Sequence, residues 1–239
     1  MIRRQTLAEI PASIRPADSS SEAAFPAPTR RMLRPSLELW AKINVAFLSY
    51  GYESLSMSTL AKACGFSRAA LYQYFRSKEE VFRFSTRTVN VVAIEGALAA
   101  GERLRQEGHS VIDIFAEITC TRYVQMRLEG LFSPHRVELN SVASRNCDDI
   151  LIEVGLLFRD GLAQMLTKLR ADGRLKPREG LATVEIAQAL ANGARGVDQS
   201  LPAPTAEELP ARHRQMVSAV LYGCLTERAA GRRKATDSP

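Results

Sequence analysis

Residues 56–78 constrain the fold of this 239-residue chain most strongly, because they indicate two short helices joined by a tight turn. Ser56 stands where a helix N-cap is expected, and Gly65 stands where a helix end favours left-handed backbone. Ser67 can cap the helix that follows. Before the glycine, apolar residues recur at the spacing of one helical face: Met57, Leu60, Ala61 and Cys64. The segment therefore predicts a helix-turn-helix.

The second of these helices is expected to present a polar face to solvent. Leu71 and Phe75 point back to the core that the first helix helps to form. Four other residues then face outward: Arg68, Ala69, Tyr72 and Gln73. A short helix behind such a turn fits the DNA major groove, so we expect these four residues to face the bases. Arg68 is the best candidate for a guanine contact and Gln73 for an adenine contact.

Further residues of the segment are candidates for contacts with the DNA backbone. Ser56, Tyr74 and Lys78 are expected to hold phosphates. Lys78 stands at the predicted start of a long helix, where backbone N–H groups also attract anions. Ser67, at the start of the exposed helix, completes the set of DNA-binding candidates.

The segment also contains a long ordered run of defined residues: Gly51-Tyr52, then Ser56-x3-Leu60-Ala61-x3-Gly65-Phe66-Ser67-Arg68-x2-Leu71-Tyr72-x-Tyr74-Phe75-x-Ser77-Lys78-Glu79-Glu80. This run resembles the signature of TetR-type transcriptional regulators, over roughly residues 35–85. Leu55 stands where Thr or Ser is usual, and Tyr74 where His is usual. The alternative is an ordinary bundle of three amphipathic helices, because periodicity alone does not separate the two.

The resemblance implies an all-α protein, in which a three-helix DNA-binding head is joined by a long helix to a larger helical body for ligand binding and dimerisation. It also implies a repressor that binds a palindromic operator as a homodimer and is released by a small-molecule effector. An activator or a chromosome-organising protein of the same fold is the alternative. An all-helical enzyme is disfavoured, since the sequence contains no His, Cys or carboxylate constellation with catalytic spacing.

The net charge of +6 is concentrated at the end of the chain that contains the helix-turn-helix. Residues 1–90 hold 13 Lys and Arg against 7 Asp and Glu, whereas residues 91–239 hold 19 of each. Binding to a polyanion needs such a basic footprint, because the release of counterions supplies much of the affinity. The alternative, a randomly basic chain, would spread the charge evenly along its length.

Composition and periodicity divide the chain into four predicted regions. They are a flexible basic arm (1–34), a helix-turn-helix DNA-binding domain (35–82), a helical ligand-binding and dimerisation domain (83–230) and a disordered tail (231–239). The body is predicted to begin with a long helix that follows a capping box, Ser77-Lys-Glu-Glu80. No stretch alternates with period two for long enough to predict a strand.

The arm before the first helix has two interpretations. Arg30, Arg31 and Arg34 lie just upstream of a helix expected to stand beside the DNA backbone. A flexible basic arm at this point could enter the neighbouring minor groove, where narrow A·T segments concentrate negative potential. The other interpretation is a solvated tail that only aids solubility.

The resemblance implies a small-molecule cavity in the body. The candidate lining residues are Thr119, Arg122, Tyr123 and Met126 on one predicted helix, with Phe158 opposite. Simple core packing is the alternative for each of these positions. A helical bundle can hold a mostly apolar pocket with a few polar anchors.

The last two predicted helices are the candidate dimer interface. Small residues on the first would permit close backbone approach, and apolar residues on the second would complete a four-helix bundle with a second chain. The candidates are Val184, Ala187, Leu190, Ala191, Met216, Val220 and Cys224. The alternative is that both stripes face the core of their own chain.

The remaining polar residues predict no metal and no cofactor. The four cysteines and three histidines are scattered, without the spacing of a metal-binding pair. Four free thiols are expected in a reducing compartment. No amino-terminal apolar stretch resembles a signal peptide, and Glu95 interrupts the most apolar run. We therefore expect a cytoplasmic protein without membrane contact, whose partners are operator DNA, a second copy of the chain and an effector.

Overall fold

The computed structural model describes residues 32–131 and 133–225, apart from the side chains of residues 125–131. The predicted basic arm up to residue 31 and residues 226–239, which include the predicted tail 231–239, lie outside these residues. Within them the chain forms nine helices: α1 (Leu37–Tyr50), α2 (Met57–Ala63), α3 (Arg68–Leu71), α4 (Lys78–Gln106), α5 (Val111–Leu131), α6 (Arg136–Asn146), α7 (Asp148–Ala171), α8 (Thr183–Asp198) and α9 (Leu209–Cys224). The predicted all-α fold is confirmed, and the described residues contain no β-strand.

The head, α1 to α3, owes its geometry to local chemistry at the helix ends. Ser36, Ser56 and Ser67 each accept a hydrogen bond on Oγ from a backbone amide three residues further on. Each bond satisfies one of the amides that a helix start leaves unpaired. At the end of α1, Gly51 adopts φ +76°, which ends the helix and which other residues rarely adopt.

The start of α4 differs in one detail from the capping box that the sequence suggests. Ser77 Oγ accepts from the Glu80 amide at 3.1 Å, as expected. The Glu80 carboxylate, however, accepts from the amide of Arg76 at 2.6 Å, one residue before the cap. The reciprocal bond of the motif is therefore shifted by one residue, and the helix still begins at Lys78.

The body is a bundle in which α5 lies at the centre, with α4 on one side and α9 on the other. Helices α7 and α8 pack together, and α8 packs on α9. Gly101 allows α4 and α5 to approach closely, because a Cβ atom there would clash with the side chain of Ile118. Phe115, Phe158 and Leu162 are almost completely buried in the core of the bundle. None of the described helices is both long and apolar enough to cross a membrane.

Candidate nucleic-acid interface and body cavity

The four residues expected to face DNA bases lie together on the surface of the head. Arg68, Ala69, Tyr72 and Gln73 are all exposed, on α3 and on the turn that follows it. Leu71, between them, is fully buried against the head core. The four exposed residues therefore lie on the outside of α3 and of the turn that follows it, and we call their surface the reading face.

Two of these side chains contact each other. Cζ of Arg68 lies 5.5 Å from the centroid of the Tyr72 ring, and its Nη2 is 3.5 Å from the Tyr72 hydroxyl. The two residues are one helical turn apart, so their side chains meet on one face.

The phosphate candidates surround the reading face with different degrees of exposure. Ser56 is exposed, and its Oγ belongs to the capping box with Thr59. Tyr74 is half-buried, with its ring edge-on to Phe66. Lys78 donates to the carbonyl of Tyr52 at 2.9 Å, and its Nζ lies 4.2 Å from the centroid of that ring. An ammonium has three N–H donors, so this bond leaves two for other acceptors.

The segment before α1 contacts the turn that carries part of the reading face. The amide of Leu33 donates to the carbonyl of Gln73 at 2.9 Å. Arg34 follows immediately and is exposed, whereas Arg30 and Arg31 lie outside the described residues. This contact joins residues that are distant in sequence, so no local pattern predicted it. It places Leu33 beside the helix expected to read DNA.

A cavity of about 610 Å³ opens where the head meets the body. Residues from α1, α4, α5, α6 and α7 and from the end of α8 line it. Its walls combine aromatic and aliphatic side chains, such as Phe47 and Leu151, with amides and hydroxyls, such as Asn90 and Ser144. The charged residues among them are Arg122, Arg136, Arg195, Asp148 and Asp198.

Of the five residues expected to line a cavity, the structure places two in its wall, Arg122 and Tyr123. Thr119 is fully buried and donates its hydroxyl to the Phe115 carbonyl at 2.8 Å, so it belongs to the core of α5. Phe158 is also a core residue, 1% exposed. Neither Thr119 nor Phe158 lines this cavity, because helical spacing identifies a buried face without showing which part of it borders open space. The side chain of Met126 lies outside the described residues.

Among the described residues, Arg122 is the only Arg, Lys, Asp or Glu that is buried, with 5% of its surface exposed. Its Nε has no hydrogen-bond partner. The guanidinium lies over two rings, with Cζ 4.1 Å from the centroid of Phe158 and 5.3 Å from that of Tyr123. Burial lowers the pKa of Arg122, and the positive charge of Arg195 lowers it further. Its aromatic neighbours therefore do not fully replace the water that it has lost.

Helix α6 connects the cavity wall to the head. Leu139 and other residues of α6 line the cavity. On another face of the helix, Glu138 accepts from the amide of Glu53 at 2.8 Å and lies 3.1 Å from Nδ1 of His135. The backbone bond from Glu53 holds the pKa of the Glu138 carboxyl below its usual value. A Cβ atom on Gly51 would clash with this carboxylate, so a side chain there would disturb the contact.

The candidate dimer residues divide into two groups. Ala187 and Leu190 are fully buried in the core of their own chain and offer no surface to a second one, so their expected place in an interface is corrected. Val184 is exposed, and the other four are half-buried: Ala191, Met216, Val220 and Cys224. A Cβ atom on Gly193 would lie 2.6 Å from Sδ of Met216, so the small residues of α8 also serve packing within the chain.

The described residues contain no group of three or more His, Cys, Asp or Glu side chains that could hold a metal ion. The four cysteines are free thiols. Burial raises the pKa of Cys64 and Cys147, and it raises that of Cys120 to about 11. These three thiols are therefore protonated near neutral pH, whereas the thiolate is the reactive form.

Comparison with known proteins agrees with this geometry. A family model described as "Bacterial regulatory proteins, tetR family" matches residues 45–83, which run from within α1 into α4. No curated protein matches the chain. The matched residues include the serine caps of α2, α3 and α4 and the whole reading face.

Solved structures share the fold over about four fifths of this chain at low sequence identity. A tetR-family transcriptional regulator from Mesorhizobium loti is 18% identical, with a TM-score of 0.59 over 80% of this chain and 96% of the other. A TetR transcription regulator from Haloarcula marismortui is 15% identical, with a TM-score of 0.59 over 80% and 97%. SmeT, the repressor of the Stenotrophomonas maltophilia multidrug efflux pump SmeDEF, is 14% identical, with a TM-score of 0.54 over 85% and 96%.

The family match covers the helices whose surface was expected to face DNA, and the structural similarity extends the same fold through the body. The family match is to DNA-binding transcriptional regulators, and the structural neighbours are regulators of the same fold. Residues 45–83 match the tetR family of bacterial regulatory proteins, and the fold of the described chain is similar to that of solved transcriptional regulators named for this family.

Proposed function

We propose that the protein is a repressor, that it binds a palindromic operator as a homodimer, and that a small molecule in the body cavity releases it. The observation that carries the proposal is the position of α6, which lines the cavity and contacts the head through Glu138. A ligand that displaces this helix would act on the turn between α1 and α2. Regulators of this fold bind operator DNA as dimers, and SmeT in particular is a repressor.

Base reading is assigned to the exposed face of α3. Arg68 is proposed to contact guanine and Gln73 adenine, since these side chains match the acceptor and donor patterns of those bases in the major groove. Ser56, Tyr74 and Lys78 are proposed to hold phosphates, with Ser67 at the helix start. Phosphate contacts fix the register of the protein on the duplex, and base contacts supply the specificity.

Two contacts support a mechanical link between the α6 segment and its neighbours α1 and α4. Ser133, just before α6, donates its hydroxyl to the Leu48 carbonyl of α1 at 2.6 Å. Arg83, near the start of α4, donates to the carbonyl of Asn146 at the end of α6 and pairs with Asp149 of α7, with Nη2 2.5 Å from Oδ2. A movement of α6 would therefore change the position of α1 relative to α4. In a dimer, such a change alters the distance between the two reading helices, which must match the half-site spacing.

Selection from random double-stranded DNA tests the proposal although the operator sequence is not known. The full-length protein should enrich a palindrome whose half-sites lie about one helical turn, or a multiple of it, apart. A screen of small metabolites by fluorescence anisotropy should then identify compounds that lower operator affinity. Enrichment of a sequence without two-fold symmetry would contradict the homodimer. A complete metabolite screen without any release of DNA would contradict effector control.

A further inference from the structure

We infer that the ligand of the body cavity is an organic anion, and that Arg122 pairs with its anionic group. The inference rests on the proposed effector role of this cavity and names the chemical class of the effector. A carboxylate on a partly apolar body fits the cavity, whose lining is divided between polar and apolar residues. The reasons lie in the burial of Arg122, in the charges around the cavity and in the composition of its walls.

The first reason is that Arg122 is an incompletely partnered cation in the cavity wall. Only 5% of its surface is exposed, and its Nε has no hydrogen-bond partner. A buried donor without a partner destabilises a folded protein, and a charged donor does so more strongly. A bound anion would supply the missing acceptor. The guanidinium fork matches a carboxylate, which can accept two parallel N–H bonds.

The second reason is the charge around the cavity. Arg195 repels Arg122 electrostatically. Arg136 of α6 also lines the cavity and is exposed. Asp148 and Asp198 also line the cavity, and Asp198 attracts Arg122 electrostatically. Three cations against two carboxylates leave the lining positively charged. A cationic ligand would add to this net positive charge, whereas an anionic ligand would reduce it, so the lining favours an anion.

The third reason is the nature of the remaining wall. The cavity is also lined by apolar side chains. They include Phe47 and Leu48 of α1 as well as Phe82, Val89, Leu139 and Ile152. The cavity volume of about 610 Å³ lies within the range of small-molecule sites, in which apolar walls hold the body of a ligand and a few polar groups fix its orientation. An inorganic anion would leave these walls without contact. An amphipathic organic acid satisfies both parts of the lining.

A purely structural role for Arg122 makes a different prediction. If its stacking on Phe158 and Tyr123 served only stability, Arg122→Met would lower the melting temperature of the free protein. If the charge is retained for a ligand, the neutral side chain should leave the melting temperature unchanged or raise it, because replacing a buried charge by an apolar group is often neutral or stabilising. Thermal unfolding of the two free proteins separates these roles.

The binding test uses matched probes on the full-length protein. Two carboxylates, 2-naphthoate and decanoate, are compared with the alcohol and the ammonium compound of the same carbon skeletons. At least one carboxylate should raise the melting temperature in a saturable manner, and neither counterpart should do so. Arg122→Met should raise the Kd of that carboxylate at least tenfold by calorimetry. Arg122→Lys, which keeps the charge and loses the fork, should have an intermediate Kd.

Arg103→Met is the matched control, because Arg103 is exposed on α4 and does not line the cavity. It should leave the Kd unchanged. The inference is overturned if no carboxylate binds saturably, if alcohol or ammonium compounds bind as well, or if Arg122→Met binds like the wild type. Because no DNA is present, these outcomes are independent of the proposed function. A carboxylate that binds through Arg122 without releasing the operator would refute effector control alone.

Discussion

The head and the body place their charged side chains differently. In the head, Arg68 is exposed on α3, and no polar or charged side chain from Leu33 to Phe84 is buried. In the body, Arg122 is buried between α5 and α7, and its Nε lacks a partner. An exposed cation suits a long polyanion that docks from outside. A buried cation beside a cavity suits a small partner that enters.

The two regions also differ in how many structural elements each candidate site needs. The reading face of the head lies on one helix and its following turn, so its residues follow from the spacing of α3 alone. The cavity takes its lining from six helices, and each contributes only a few residues. Changes in the head should therefore alter DNA binding residue by residue, whereas changes in the body should act through dimerisation, the cavity or stability.

The largest effect is expected from a charge in the proposed dimer interface. Val220 is half-buried on α9, so Val220→Glu should prevent a second chain from packing there while the chain still folds. Sedimentation should show a monomer, and operator affinity should fall by about two orders of magnitude, since one head contacts only one half-site and the gain from linked binding is lost. Val137→Glu on α6 places the same charge at a side chain that is 77% exposed and should remain dimeric. A dimeric Val220→Glu protein would place the interface elsewhere.

The next effect tests base reading in the head. Arg68→Ala should cost ~1–3 kcal/mol of operator binding and relax the specificity at one base pair. Lys78→Ala is the comparison, because it should weaken binding to all sequences alike and reduce the salt slope by about one. Titrations on operator and on random DNA at several salt concentrations measure both. Equal losses on the two DNAs for Arg68→Ala would remove that residue from base reading.

A smaller effect is expected from the basic arm. Deletion of residues 1–34 removes Arg30, Arg31 and Arg34, so operator affinity and its salt dependence should both fall, by up to ~0.9 in slope for each lost phosphate contact. Deletion of residues 1–29 retains the three arginines and should behave like the full chain. The contact of Leu33 with Gln73 supports this expectation, because it places the end of the arm beside the reading face. Unchanged affinity and slope after the longer deletion would make the arm a solubility tail.

The smallest effect concerns an ion-pair network in the body. Glu102 accepts from Arg105 of α4 and from Lys168 of α7, and the hydrogen bond from Arg105 is the main reason that its pKa falls from 4.5 to about 2. Because the pKa of Glu102 is lower in the folded than in the unfolded protein, its ionisation stabilises the fold above pH 4.5. This stabilisation is lost as the pH falls from 4.5 to about 2. Allowing for solvent screening, it is worth ~1 kcal/mol.

Urea unfolding at pH 7 and at decreasing acidic pH checks this expectation. The wild type should lose its advantage over Glu102→Gln as the pH falls below 4.5. Thr167→Val on α7 is the control, because its hydroxyl is bound within its own helix and does not titrate in this range. A constant difference between wild type and Glu102→Gln at all pH values would show that ionisation of this carboxyl does not stabilise the body.

Much of the fold followed from sequence because helix ends are local. Ser56, Ser67 and Gly65 are each defined by a few neighbouring residues, and the structure places caps and turn where their chemistry requires. Two kinds of feature did not follow. Ala187 and Leu190 lie on an apolar stripe, and a stripe does not indicate whether its partner belongs to the same chain. The bond between Glu138 and Glu53 joins residues 85 positions apart, so only the assembled fold reveals it.

The role of Arg122 was predictable from the sequence only in part. It falls at the helical spacing of an apolar stripe that includes Phe115 and Ile118, so the sequence places a cation among core positions of α5. This pattern is a usable signal, because a charged residue is rarely buried without a reason. The cavity beside Arg122 could not be predicted from sequence. It depends on where α6 and α7 lie in the fold, and no local pattern describes their positions.

The most direct test of control by the cavity fills it without a ligand. Ala143 of α6 lines the cavity and is half-buried, so Ala143→Trp would place an indole ring against the helix that contacts the head. Operator affinity measured by anisotropy should fall at least tenfold, with the melting temperature and the dimer preserved. Val137→Trp is the matched control, because Val137 lies on the same helix, is exposed and does not line the cavity, so this variant should retain affinity. A folded, dimeric Ala143→Trp protein with unchanged operator affinity would contradict control of the head by the cavity.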